Sequence, residues 1–197
     1  MKAKTALAEQ TQPPRVAIVL DVETTGLNRQ IDEILELAMT LFRYDPMTGR
    51  VLEVVRRYSG LREPSCRIPL AASQVHGITQ QTVRGRLLDY RKIRQMAGQA
   101  DFVVAHNAEF DRGFVERLMP SFRSRTWLCS LYGIDWHAKG FRDRSLEGLA
   151  KAHKINISLA HRADADVETL LALLSCESRE GGRSHLFQLL RDANLAG

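Results

Sequence analysis

The sequence predicts an α/β protein built on a mixed five-stranded sheet with helices on both faces. Three observations point there. Three strand-like runs follow one another near the start of the chain. Helical patterns then alternate with two further short apolar runs. The first run, Arg15 to Val22, is apolar without alternation, as a strand covered on both faces must be.

Residues 1–14 are polar, end in Pro13-Pro14, and read as a flexible tail. Arg15 to Val22 is the first strand, running into acids and the turn Thr24-Thr25-Gly26. Ile34 to Tyr44 and Val51 to Tyr58 are the second and third, joined by the turn signal Asp45-Pro-Met-Thr-Gly49. Gly60, Pro64 and Pro69 mark a loop. From Pro69 to Ala100 the pattern is short helical pieces punctuated by Gly77, Gly85 and Gly98. Asp101 to Ala105 is a short buried strand. Glu109 to Met119 is helical, with Phe110, Phe114, Val115 and Leu118 at helical spacing. Thr126 to Cys129 reads as the last strand. Ser145 is a helix N-cap for a helix through His153, and Arg162 to Leu174 is a strongly patterned helix. Glu177 to Arg183 is a charged, Gly-rich break before an amphipathic helix, Ser184 to Ala193. The expected organisation is a tail (1–14), one main domain (15–176), and a linker with a C-terminal helix (177–197).

Lys and Arg number 28 against 23 Asp and Glu, a net charge of +5. A basic balance raises the weight of a polyanionic partner. No apolar run approaches the roughly 18 residues that span a bilayer. Met1 to Pro14 has no apolar stretch of the secretory kind. The three cysteines, Cys66, Cys129 and Cys176, are widely spaced and form no disulfide framework or CxxC pair. A cytoplasmic location is expected.

Three segments carry chemistry. In Asp21-Val22-Glu23, strand alternation puts both carboxylates on one face at the end of an apolar strand. Such a pair either meets solvent or is held together by a divalent cation, for which oxygen ligands suit magnesium or manganese. In the second segment, a buried strand ends at His106-Asn107, and Asp111 lies one turn into the following helix. Asn107 as N-cap and first-turn acids at Glu109 and Asp111 also suit the helix dipole. In the third, His161-Arg-Ala-Asp-Ala-Asp166, Asp164 and Asp166 diverge on a helix, and Asp166 faces the sheet while His161 lies on the preceding loop. Alone, each segment also reads as a cap or a solvated face. Together they supply four converging carboxylates and a histidine, the equipment of two-metal phosphoryl transfer, with the imidazole as the base.

These segments resemble the motifs of the proofreading-exonuclease superfamily, the DnaQ-like or DEDDh nucleases. The first motif stands as Leu20-Asp21-Val22-Glu23-Thr24-Thr25-Gly26-Leu27. The second is Val104-Ala105-His106-Asn107-Ala108-Glu109-Phe110-Asp111. The third is His161-Arg162-Ala163-Asp164-Ala165-Asp166, with the histidine five residues before the acid. A weaker fourth match is Val75-His76-Gly77-Ile78-Thr79. The resemblance spans residues 16 to about 175 and implies a ribonuclease-H-like fold, two Mg2+ ions that Mn2+ can replace, and 3′-to-5′ exonuclease activity. It assigns Asp21, Glu23, Asp111 and Asp166 as metal ligands and His161 as general base. Thr24, His76 and Asn107 are carried over as substrate-binding positions. Asp164 and Glu109 fall at variable positions of the pattern and stay outside the site.

The expected substrate is a single-stranded 3′ end, DNA before RNA. An RNA-trimming enzyme like ribonuclease T shares the same motifs, and a non-catalytic nucleic-acid adaptor is the reading from another class. Arg84, Arg86, Arg91, Lys92 and Arg94, and the loop residues Arg142 and Arg144, are candidate phosphate contacts. Phe141, in the same loop, is the candidate for stacking on a base. The C-terminal helix offers three readings: cover for the domain's own core, contact with a polymerase, or self-association.

Overall fold

Strand order follows from where apolar runs can find partners. In the computed structural model, which describes residues 12–156, 162–177 and 183–196, the sheet runs β3-β2-β1-β4-β5. Its first three strands are β1 (Arg15–Thr24), β2 (Ile34–Tyr44) and β3 (Val51–Leu61). They form an antiparallel meander. On the other side of β1, β4 (Phe102–Ala105) and β5 (Thr126–Cys129) are parallel to it and to each other. The sheet therefore changes from antiparallel to parallel at β1, its central strand.

β3 is longer than the sequence pattern predicts. The ladder continues through Gly60, paired with Leu37, to Leu61, paired with Glu36. Gly60 reads as a loop marker in the sequence, yet here it serves a close approach. A Cβ at this position would collide with the Tyr58 ring, so glycine lets the strand run on past that side chain.

Alternation along β1 divides the core. Ile18, Leu20 and Val22 face α3 (Tyr90–Gln99) and α4 (Ala108–Leu118). Ala17 and Val19 face α5 (Leu146–Ala152), α6 (Ala163–Ser175) and α7 (His185–Asp192). Both layers are buried, and each fully buried Leu or Val contributes roughly 1.5–3 kcal/mol. Two short helices, α1 (Leu70–His76) and α2 (Gln80–Val83), carry the chain from β3 towards α3. A 3₁₀ turn over Pro120–Ser124 leads into β5.

Caps fix the helix starts. Asp89 accepts the Lys92 amide, Ser145 the Gly148 amide, and Ser184 the Phe187 amide. Ser184 also donates to the Gly49 carbonyl at 2.9 Å, tying α7 to the β2–β3 turn. Leu186, Leu189 and Leu190 of α7 lie in the same core cluster as the apolar side of α6. Among the described residues no helix is long and apolar enough to cross a membrane.

Candidate active site

The odd-numbered side chains of β1 face α6, so Asp21 and Glu23 emerge on that side at the C-terminal end of the strand. α6 crosses β1 and β2 there. Its first turn brings in Asp166, whose amide donates to the Arg162 carbonyl at 2.9 Å. Asp21, Glu23 and Asp166 each offer a carboxylate oxygen, and these atoms all lie within 4.8 Å of one another.

Asp111 reaches the same point from the opposite layer. β1 outruns β4, which ends at Ala105, so the Val22 amide has no strand partner on that side. Asp111 Oδ1 accepts it at 3.2 Å. The residue is 2 % exposed, and its charge acts directly on Asp21.

Three of these acids, Asp21, Glu23 and Asp111, resist ionisation. Burial, then Asp111, Asp166, Glu23 and Glu36 in that order, hold the Asp21 carboxyl well above the usual range. Burial, Asp166 and Glu36 push Glu23 up to about 8, against an opposing pull from Arg162. Asp111 is raised by burial and less by Glu23, opposed by the backbone amides it accepts. Carboxylates that repel one another in this way, with only oxygen to offer, are the donor set a hard divalent cation such as Mg2+ requires.

Beside the cluster lies a cavity of about 610 Å³ walled by Glu23, Thr24, Leu27, Val75, His76 and Phe110, among others. The turn at its edge is tightly specified. Thr24 Oγ1 donates to the Gly26 carbonyl at 2.6 Å, and Asp32 accepts the Thr25 hydroxyl and the Asn28 amide. A Cβ at Gly26 would lie 2.6 Å from that Asp32 carboxylate, so a larger residue would displace it and disturb the two hydrogen bonds it accepts. His76 is buried, and its Nδ1 accepts the Ile78 amide at 3.0 Å, which places the proton on Nε2. Nε2 has no hydrogen-bond partner among the described residues. Burial pulls the ring below its usual value, only partly offset by the Thr24 backbone.

The structure thus brings Asp21, Glu23, Asp111 and Asp166 to one place, with Thr24 and His76 at the adjoining cavity. Asn107 is different. It is exposed, takes a left-handed conformation (φ 72°, ψ 46°) at the start of α4, and makes no capping bond. Cys129 Sγ accepts the Ala108 amide instead, at 3.4 Å. His161 lies outside the described residues. Glu109 turns away to pair with Arg29 at 3.0 Å, and Asp164 is exposed. Phe141 does not stand free for stacking on a base: it stacks on His153 and meets Trp136 edge-on. The loop before α5 is held by His106, whose Nε2 donates to the Arg144 carbonyl at 2.9 Å and whose Nδ1 accepts from Ser130 at 2.8 Å.

Two residues beside the site escape the motif reading, Glu36 and Arg162. Glu36 is paired in register with Glu23, is 1 % exposed, and binds the Arg162 guanidinium through two hydrogen bonds of 2.9 and 2.8 Å. The available signal was a lone acid in the otherwise apolar run Ile34-Leu-Glu-Leu-Ala38, a pattern that demands a buried partner.

The exonuclease family RNase_T matches residues 18–174. A PolC-type DNA polymerase III from Thermotoga petrophila is 29% identical over 155 residues, which cover 78% of this chain and 10% of the polymerase. The chain therefore spans about a tenth of that relative's length. Among solved structures, the zinc-bound complex of E. coli exonuclease I with single-stranded DNA matches with a TM-score of 0.71 at 20% identity, covering 90% of this chain and 43% of that one. Exonuclease X in complex with 5′-overhanging duplex DNA matches with a TM-score of 0.60 at 24% identity, covering 87% of this chain and 99% of that one.

Proposed function

Because the chain belongs to the DnaQ-like 3′-to-5′ exonuclease family, we propose that it hydrolyses the terminal phosphodiester of single-stranded 3′ ends, DNA before RNA, releasing nucleoside monophosphates. One observation carries this reading: the carboxylates of Asp21, Glu23 and Asp166 converge within 4.8 Å, and Glu23 also lines the adjoining, largely apolar cavity. Asp21, Glu23, Asp111 and Asp166 are the residues that would hold divalent cations, Mg2+ with Mn2+ as a substitute. Bound there, such ions supply the charge that activates a water and stabilises the leaving 3′-oxygen.

The protein's own residues do the rest. The cavity seats the terminal nucleotide, with Leu27, Val75 and Phe110 as its apolar walls. These side chains offer no hydrogen-bonding pattern to read a base, which supports sequence-independent binding. His76 lines the cavity beside Thr24, and both are carried as contacts to the terminal nucleotide. His161, by its place in the third motif, is assigned as the group that takes the water's proton, since an imidazole titrates near neutrality. DNA is favoured because the relatives above are a DNA polymerase and two exonucleases bound to DNA. A polymerase is the partner class that the PolC-type likeness suggests.

An equal mixture of 5′-labelled DNA and RNA oligonucleotides tests the reading. It predicts ladders that shorten from the 3′ end, faster for DNA, abolished by EDTA. Faster loss of RNA would replace the substrate, and an intact mixture in both Mg2+ and Mn2+ would defeat the proposal.

A further inference from the structure

Glu36 is a charged side chain at 1 % exposure, on the strand next to the catalytic carboxylates. Its Oε2 accepts Arg162 Nε at 2.9 Å and the Ala163 amide at 3.3 Å. Its Oε1 accepts Arg162 Nη2 at 2.8 Å and the Ser59 hydroxyl at 3.4 Å. Arg162 is the N-cap residue of α6 and makes no capping bond with its own side chain. A carboxylate from β2 therefore takes an open amide at the start of the helix that carries Asp166.

The charges matter as much as the cap. Asp21, Glu23, Asp111 and Asp166 present four carboxylates. Glu36 lies directly opposite Glu23 in the β1–β2 ladder, so the guanidinium it binds is held beside the cluster. A guanidinium cannot discharge by losing a proton. Without a dedicated partner it would turn to the nearest carboxylates and occupy the place of a cation.

We propose that Glu36 is a positioning residue that sequesters Arg162 from the carboxylate cluster and anchors the first turn of α6, so that Glu23 and Asp166 stay available for divalent cations. Glu36 and Arg162 cancel each other's charge, and the cluster keeps its own. The inference rests on the reading that Asp21, Glu23 and Asp166 hold such a cation.

Mn2+ affinity measured by titration calorimetry on the full chain tests it without any nuclease assay. Glu36→Gln keeps the shape but frees the guanidinium, and is expected to weaken Mn2+ binding about tenfold, the usual effect of losing a group that supports metal ligands. The double variant Glu36→Gln with Arg162→Gln replaces the ion pair by a neutral one and is expected to return to within about threefold of wild type. A purely structural role would not be rescued by removing the second partner. Wild-type affinity in a folded Glu36→Gln protein overturns the inference, as does a double variant that fails to fold or to bind Mn2+. If Glu36→Gln alone does not fold, the double variant decides. Absence of Mn2+ binding by the wild type removes the cation reading and this inference with it. Wild-type binding with an unchanged Glu36→Gln variant overturns the inference alone.

Discussion

The carboxylates at the end of β1 and the imidazoles between α5 and α7 are two ionisable clusters against the same face of the sheet, and they differ in the hydrogen bonds open to them. His153 Nδ1 donates to the Leu149 carbonyl at 2.7 Å, so its Nε2 is an acceptor, and His185 Nε2 donates to it at 3.0 Å. Tautomer choice alone settles the pair, leaving one lone pair, His185 Nδ1, without a partner among the described residues. Burial, then His153 and Lys139, push His185 down to about 4, and Trp136 packs 4.9 Å from its ring. The carboxylates have no such choice. Every ionised oxygen is an acceptor, so the cluster relaxes only by taking up protons or a cation. The imidazoles bond to each other and to the Leu149 carbonyl and act as structure, whereas the acids need something from outside.

The largest expected effect sharpens this contrast. Asp166→Ala should lower nucleotide release by about 10³-fold or more, since lost transition-state charge stabilisation amounts to several kcal/mol. The same variant should melt higher than wild type in EDTA, because one of the repelling charges is gone. A variant that loses both activity and metal-free stability would break the comparison.

His185 predicts a pH effect on stability. The folded value of His185 lies below its ordinary one, so the unfolded chain binds protons first as pH falls. Its contribution is complete above about 6.5 and is lost as pH falls towards about 4. His185→Leu should cost about 1 kcal/mol near pH 7, the value of a neutral hydrogen bond. It should also flatten the acid limb of the stability curve in urea unfolding. An unchanged acid limb would show that His185 does not titrate with folding.

The smallest effect belongs to a nearby ion pair that looks similar on paper. Arg57 binds Glu168 at 2.8 Å, but both side chains are about half exposed. Arg57→Ala should change stability by less than about 1 kcal/mol and leave Mn2+ affinity at the wild-type level. A loss comparable to that of Glu36→Gln would mean that burial is not what separates the two pairs.

Much of this site is legible in the sequence because its geometry is local. Alternation puts Asp21 and Glu23 on one face, and helical spacing separates Asp166 from Asp164. The strand-to-helix step after Ala105 places Asp111 one turn in. What escapes is set by contacts between distant segments. Nothing local pairs Glu36 with Arg162, 126 positions away. Phe141 reads as a loop aromatic until His153 and Trp136 enclose it. Gly60 reads as a breaker until the neighbouring Tyr58 ring explains it. The sheet follows from apolar periodicity, and its order from the three-strand meander with parallel strands added beside β1.

The most direct test of the central claim, that the β1 carboxylates are held for a cation, is thermal unfolding at pH 5 and pH 8 with EDTA or Mg2+. The folded value of Glu23, about 8, lies above its ordinary 4.5, so the folded state holds the proton longer. The Glu23 contribution to the metal-free protein should therefore be lost as pH rises through that window, and it outweighs the gain from His185, which is complete by about 6.5. Mg2+ at a hundred times its dissociation constant should restore about 2.7 kcal/mol at pH 8 and much less at pH 5, where protons compete. Equal stabilisation at both pH values, or none at pH 8, would contradict the account.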